Sequence, residues 1–219
     1  GYYRAAFSIT SAIVGLITMT NLFLPVFVRL EGKRLEKGFN RILRYLAIIS
    51  FPAAFGLALI SKPFISIIYG PEYVYAAIPL YLLSLLVIEG PFSGLISWLF
   101  IAKEKPKTVT YTLIFATLLN IILNFAFIKW FIVYGEIYAV LGAALATIIS
   151  RYLNLFILAG LSKKQLGIKI MPAQLIKPLI CALIMAISLI IFQNLTHFVW
   201  PMSILEILFG AAVYFAGLL

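Results

Sequence analysis

Thr108–Ile128 reads TVTYTLIFATLLNIILNFAFI, with Lys107 before it, Lys129 after it and no charge between. A helix that crosses the hydrocarbon layer of a bilayer needs roughly 20 mainly apolar residues. This stretch meets that length. Working outward and cutting at the charges gives six more: Ala5–Val28 between Arg4 and Arg29, Tyr45–Ser61 between Arg44 and Lys62, about Val74–Ala102 with Glu89 inside, about Tyr138–Leu161 with Arg151 inside, Pro178–Leu195, and a last one from near Pro201 to the chain end with Glu206 in its outer part. The fold class that follows is all-α integral membrane, with about seven spans.

Composition agrees. Of 219 residues, 64% are hydrophobic and 11% charged, with a mean hydropathy of +1.12. Soluble domains are about 45–50% apolar and about 25% charged, so a soluble enzyme is excluded, and so is a disordered chain. The net charge of +10 does not indicate nucleic-acid binding, because the basic residues sit in the loops between long apolar runs. One cysteine, Cys181, excludes a disulfide scaffold or a zinc cluster. A single histidine, His197, and the complete lack of aspartate leave little for a metal site or a His-centred triad. No metal and no cofactor are expected.

Charge placement fixes the orientation. Between spans one and two lie Arg29, Lys33, Arg34, Lys37, Arg41 and Arg44; between two and three, Lys62 alone. Lys103, Lys105 and Lys107 follow span three, Lys129 follows span four, and Lys163, Lys164, Lys169 and Lys177 follow span five, with no base between the last two. This alternation is the positive-inside pattern. It runs the first span from outside to cytoplasm and predicts a multi-pass protein of the cytoplasmic membrane. A start at Gly1 on the outer side, and an end inside an apolar run, predict a piece of a longer protein with helices upstream.

Arg29–Arg44 alternates bases with Leu30, Leu35, Phe39, Ile42 and Leu43, which suits either a cytoplasmic interfacial helix or an ordinary topogenic loop. Pro63–Tyr69 with Gly70-Pro71 reads as a short outer interfacial segment and a turn. Tyr69, Tyr73, Tyr75, Trp130, Tyr134, Tyr138 and Trp200 fall at outer ends, as an aromatic belt would. Asn194-Leu195-Thr196 is a weak outward-facing sequon.

The order of short motifs is specific. Gly1-Tyr2-Tyr3-Arg4-Ala5-Ala6 is followed by Leu24-Pro25, Phe51-Pro52-Ala53-Ala54-Phe55-Gly56, Ile67-Ile68-Tyr69-Gly70-Pro71-Glu72-Tyr73, Ala76-Ala77, Pro79-Leu80, Leu119-Asn120-Ile121-Ile122-Leu123-Asn124 and Leu141-Gly142-Ala143-Ala144-Leu145-Ala146-Thr147. This series resembles the C-terminal half of polysaccharide-transporter flippases of the multidrug/oligosaccharidyl-lipid/polysaccharide exporter superfamily. The resemblance implies a parent of about fourteen helices in two lobes that rock by alternating access. This chain would supply the last seven, and its N-terminal lobe partner would be missing. Residues 1–161 would form the five-helix lobe, 162–177 a cytoplasmic linker, and 178–219 two added helices beside the lobe. The implied partners are the bilayer and a lipid-linked saccharide, moved without ATP bound by this chain. Accordingly, no Gly-rich loop followed by Lys-Ser/Thr is present.

Glu89 and Arg151 are the deepest charges. Each lies roughly 20 Å into a span of the same direction at 1.5 Å per residue, so the two can meet. Buried charges in membranes face the bundle interior or a watery cavity. Either they form a cavity ion pair, or Arg151 receives a pyrophosphate while Glu89 balances it; the structural alternatives are a helix break at Gly90-Pro91 and snorkelling of Arg151. Asn120, Asn124 and Thr117 make a polar stripe that suits saccharide hydroxyls or interhelical hydrogen bonds, the latter worth about 0.6 kcal/mol each. Arg4 is a cavity cation or an interfacial anchor. Gly142, Ala146 and Ser150 form a small-residue packing face with no binding role. Pro25, Pro52, Pro79 and Pro91 are hinge or kink candidates.

Two other functions remain to be weighed. A cation-coupled multidrug exporter of the same superfamily needs acids in a lobe, and here the one deep acid is Glu89. A membrane-bound glycosyltransferase needs carboxylates at a membrane face, where Glu31, Glu36 and Glu104 are embedded among bases.

Overall fold

The computed structural model describes residues 1–18, 20–196 and 202–218. His197, Trp200, Pro201 and Leu219 lie outside the described residues, as do the side chains of Leu195 and Thr196 in the sequon. All regular structure among the described residues is helical. Ten α-helices follow in order: α1 (Tyr2–Ile17), α2 (Leu24–Arg29), α3 (Gly32–Leu59), α4 (Ser61–Tyr69), α5 (Ala77–Leu83), α6 (Leu86–Ala102), α7 (Pro106–Phe131), α8 (Glu136–Leu166), α9 (Ala173–Thr196) and α10 (Met202–Leu218).

Four of them, α3, α7, α8 and α9, are each long and apolar enough to cross a membrane. The helix pair over residues 71–102, bent by 44°, is long and apolar enough to do so when taken together. α1 and α10 are apolar but shorter, at 16 and 17 residues. The architecture is that of an all-α, multi-pass membrane protein.

The structure corrects several boundaries. The continuous helix expected over Ala5–Val28 is broken: α1 stops at Ile17, Thr18 leaves the helical region (φ −82, ψ 50), and a short 3-10 turn precedes α2. Pro25 sits in the first turn of α2, where its missing N–H leaves no intrahelical bond unmade. It opens a helix instead of bending one. The basic segment 29–44 is no separate interfacial helix, since all of it from Gly32 on is the first half of α3. α8 likewise continues past Leu161 to Leu166 and ends on Gly167, whose left-handed backbone (φ 68) caps the helix. The break in the third span falls at Ser84-Leu85, not at Pro79 or Pro91. Pro79 lies in the first turn of α5, while helices run on through Pro52 and Pro91.

Contacts at the basic loops place them at one end of the bundle. Lys103 Nζ donates to Leu30 O at 2.8 Å and Lys105 Nζ to Gln165 O at 2.8 Å. Asn40 on α3 reads the backbone before α9 from both sides, donating to Lys169 O (2.8 Å) and accepting from Met171 N (2.8 Å). Glu36 Oε1 accepts from Lys169 N at 3.1 Å. At the other end Tyr2, Tyr69, Tyr73 and Tyr75 make ring contacts, as do Tyr134 and Tyr138. Two cores follow: one from α1, α3, α5 and α4 residues such as Ala6, Leu57, Ile65 and Leu80, the other from Phe27, Phe39, Leu95, Leu99 and Leu158. Cys181, Met185 and Tyr214, from α9 and α10, are buried in the second core. Tyr214 also donates to Ile48 O at 2.9 Å.

α7 packs chiefly on α8. The crossing is close because Gly142 has no side chain: a Cβ there would stand 2.9 Å from Phe127 O. Gly160 on the same helix has open space around it. Replacing glycine by alanine inside a helix gains up to about 1 kcal/mol of propensity, so the two sites should respond with opposite signs. Gly160→Ala is expected to raise the melting temperature of the detergent-solubilised protein slightly, and Gly142→Ala to lower it, because backbone cannot yield as a side-chain tip can. Equal shifts at both sites would show that the α7–α8 approach is not tight.

Candidate functional site

A cavity of about 590 Å³ opens between α1, α6, α7 and α8. That is within the roughly 300–1,000 Å³ of ligand sites, and polar groups stand in its wall among apolar ones such as Phe7, Val14 and Leu113. α1 contributes Tyr3, Thr10 and Ser11, and Thr18 follows at its C-terminal end; α6 contributes Ser93 and Ser97; α7 contributes Thr117 and Asn120; α8 contributes Thr147, Ser150, Arg151 and Asn154.

Its charged feature is built by the bend in the third span. The break at Ser84-Leu85 starts α6 in the middle of this bent helix pair, and Glu89 lies in that first turn. A helix N-terminus favours a carboxylate. Tyr152 of α8 holds the break, donating to Leu85 O at 2.8 Å. Arg151 Nε donates to Glu89 Oε2 at 2.9 Å, with Glu89 wholly buried and the Arg151 side chain 42% exposed. Nε is thereby committed, while the four Nη–H donors of the guanidinium have no protein partner among the described residues and face the cavity. An anchored guanidinium of this kind is a charge-assisted fork for an anionic oxygen.

The hydroxyls have a common habit. Thr10 donates to Ala6 O, Ser93 to Gly90 O, Ser97 to Ser93 O, Thr117 to Leu113 O, Thr147 to Ala143 O and Ser150 to Thr147 O. Each proton is given to the helix, so each oxygen can only accept. Tyr3 OH lies 2.9 Å from Thr147 Oγ1, and with the threonine proton given to Ala143 the tyrosine is the donor. Asn154 Oδ1 is buried on the wall without a partner. The cavity thus presents acceptors suited to ligand hydroxyls, and one fork of donors suited to an anion.

Of the residues singled out in the sequence, the structure brings Glu89, Arg151 and Asn120 together. Asn120 Nδ2 donates to Ser150 Oγ at 3.1 Å. Asn124 is one turn away from the wall and donates to Asn120 O (2.9 Å) and Asn120 Oδ1 (3.0 Å), orienting that amide. Arg4 is exposed and off the cavity wall. Ser150 does more than pack: it accepts from Asn120 and lines the cavity. Asn154, Thr147 and the α1 and α6 hydroxyls are wall residues that the sequence reading passed over. Thr147, Ser150, Arg151 and Asn154 recur at helical spacing, a polar stripe visible in the sequence but obscured by the small residues around it. Among the described residues, no cluster of acids, histidine or cysteine could hold a metal ion.

Comparison with known proteins follows the same lines. Residues 1–78 match the family model described as polysaccharide biosynthesis protein. The chain is 32% identical over 94 residues to the teichuronic acid biosynthesis protein TuaB of Bacillus subtilis (strain 168), an alignment covering 41% of this chain and 19% of that protein. Its fold matches the lipid II flippase MurJ in an inward closed conformation with a TM-score of 0.84 at 21% identity, over 99% of this chain and 45% of that one. The chain therefore spans less than half the length of either. It is similar in sequence to polysaccharide biosynthesis proteins over residues 1–78, and in fold to the flippase MurJ across nearly its whole length.

Proposed function

We propose that this chain is one lobe of a flippase that carries a lipid-linked oligosaccharide across the cytoplasmic membrane by alternating access, its five-helix lobe (residues 1–161) completed by an N-terminal lobe of the same protein and flanked by the two helices of 178–219. The observation that carries this reading is the wall of the cavity: hydroxyl and amide acceptors around an Arg151 guanidinium fixed by Glu89. A saccharide offers hydroxyl protons to the acceptors. A phosphate or diphosphate linkage offers oxygens to the fork. The lipid tail stays in the bilayer, so a rocking bundle suffices and no bond need be broken. Transport, not catalysis, is what these groups suit, because the acid behind the cavity wall is neutralised by its arginine. The same pairing weighs against a cation-coupled drug exporter acting at Glu89.

The full-length protein in proteoliposomes tests this. A fluorescent polyprenyl-diphosphate oligosaccharide should become protected from an external lectin at a rate that Arg151→Gln lowers about tenfold or more, as loss of a charged hydrogen bond predicts. Arg151→Lys should keep part of the rate, since it retains charge but not the fork. An undiminished rate in Arg151→Gln removes this residue from the substrate path.

The ion pair has its own test. Glu89→Arg alone sets two cations side by side inside the bundle, and no folded, monodisperse protein should be recovered. Glu89→Arg with Arg151→Glu should restore it. Failure of the double variant to recover more than the single one would mean that direct pairing is not what holds these helices. Weaker saccharide binding is also expected from Asn154→Leu, which deletes a buried acceptor, with folding retained or improved because that acceptor has no protein partner.

A further inference from the structure

The first half of α3 carries a second chemical feature that the cavity does not use. Arg34, Lys37, Arg41 and Arg44 recur at three- and four-residue spacing, which places them on one face of the helix over about 15 Å of its length. All four are exposed, and none takes part in an ion pair or a side-chain hydrogen bond among the described residues. Arg29 and Lys33, also exposed, adjoin the stripe. The opposite face of the same turns is core: Leu35, Phe39, Leu43 and Leu46 are at most 6% exposed.

Other cations at this end are engaged differently. Lys103 and Lys105 are bonded to the backbone carbonyls of Leu30 and Gln165. Of the two acids in the segment, Glu36 is turned to Lys169 N. The stripe is thus an uncompensated field of fixed positive charge. Its continuation along the helix is apolar and exposed, with Tyr45 at 58% and Ile49 at 54%. A row of cations directly below an exposed apolar helix face matches a phospholipid in both parts: phosphate against the bases, acyl chains against Tyr45 and Ile49.

We propose that the α3 stripe binds anionic phospholipid headgroups of the cytoplasmic leaflet. Clusters of this size next to a membrane span are suited to such lipids, each cation near an anionic surface contributing about 1 kcal/mol, or about fivefold in affinity. The cytoplasmic side follows from the positive-inside pattern, and the proposal is independent of what the cavity carries.

Full-length protein in nonionic detergent, titrated with fluorescent short-chain phosphatidylglycerol or phosphatidylcholine, tests it. Phosphatidylglycerol should bind more tightly, and high salt should close the gap. Lys37→Gln with Arg41→Gln should weaken phosphatidylglycerol binding about 25-fold, at about fivefold per cation, and leave phosphatidylcholine binding unchanged. Lys37→Arg with Arg41→Lys should bind as the unaltered protein does. In that unaltered protein, phosphatidylglycerol but not phosphatidylcholine should shield Lys37 from an amine-acylating reagent, a readout available even if the glutamine variant does not fold. Equal affinity for the two lipids, or full phosphatidylglycerol binding by the glutamine variant, overturns the proposal. So does a carbodiimide cross-link from Lys37 to an acid elsewhere in the polypeptide that phosphatidylglycerol cannot prevent, because the stripe would then be a contact within the protein.

Discussion

A charge inside a bilayer has to be answered by another group, and in this protein the answer organises the lobe. Glu89 is wholly buried and Arg151 is its partner. Placing an acid mid-membrane costs about 2.5–3.5 kcal/mol on insertion scales, and three separate features reduce that cost. The span breaks at Ser84-Leu85, so that Glu89 sits in a first turn with the helix dipole behind it. Tyr152 satisfies a carbonyl that the break exposes. Arg151 supplies the opposite charge from the facing helix. Glu89, Arg151 and Tyr152 are therefore one construction, and the orientation of α8 against α6 depends on it.

That construction also separates two tasks often given to one residue. Glu89 does not line the cavity, whereas Arg151 does. The carboxylate fixes the guanidinium through Nε, which prevents the long side chain from snorkelling away, and leaves the outer donors facing the space. A buried pair is weak evidence for stability, since desolvation offsets much of the attraction. It is stronger evidence for position. A lone arginine on α8 would swing with its rotamers; a clamped one offers a fork at a defined place.

How much of this was legible before the structure depended on the kind of signal. Charges delimit membrane helices because burying them is expensive, so Lys107 and Lys129 bracket α7 within two residues of its ends. The same reasoning could not give the start of α3 or the end of α8, because a charge ends a membrane span but not a helix: Lys33 to Arg44, and Lys163 and Lys164, continue these helices beyond their apolar stretches. Proline was a poor guide to bending. Pro25 and Pro79 fall in first turns, where the missing N–H leaves nothing unpaired, while the actual breaks at Thr18 and at Ser84-Leu85 contain no proline. The break at Ser84-Leu85 is held by a tertiary contact, Tyr152 to Leu85 O, that no local pattern announces. The cavity wall was half visible. Asn120 and Arg151 stood out as polar residues in apolar runs, but serine and threonine in a helix are ambiguous until the neighbouring helix is known.

The hydroxyls bear on that ambiguity as a group. A serine or threonine in a membrane helix normally donates to a carbonyl one turn back, and by itself the bond signifies only local satisfaction. Six such residues on the wall of one cavity have a collective consequence: their protons are directed into their helices, which leaves their oxygens as acceptors, two of them already used by Tyr3 and Asn120. Helices meant only to pack would meet across that line with small residues in contact, as Gly142 does with Phe127. Here the helices stand apart instead, around about 590 Å³ of space lined with acceptors and one anchored cation. Left empty of partners, such a surface is costly in a bilayer. It becomes favourable when something rich in hydroxyl protons and carrying negative charge occupies it, which is the chemistry of the phosphate-linked saccharide proposed for it.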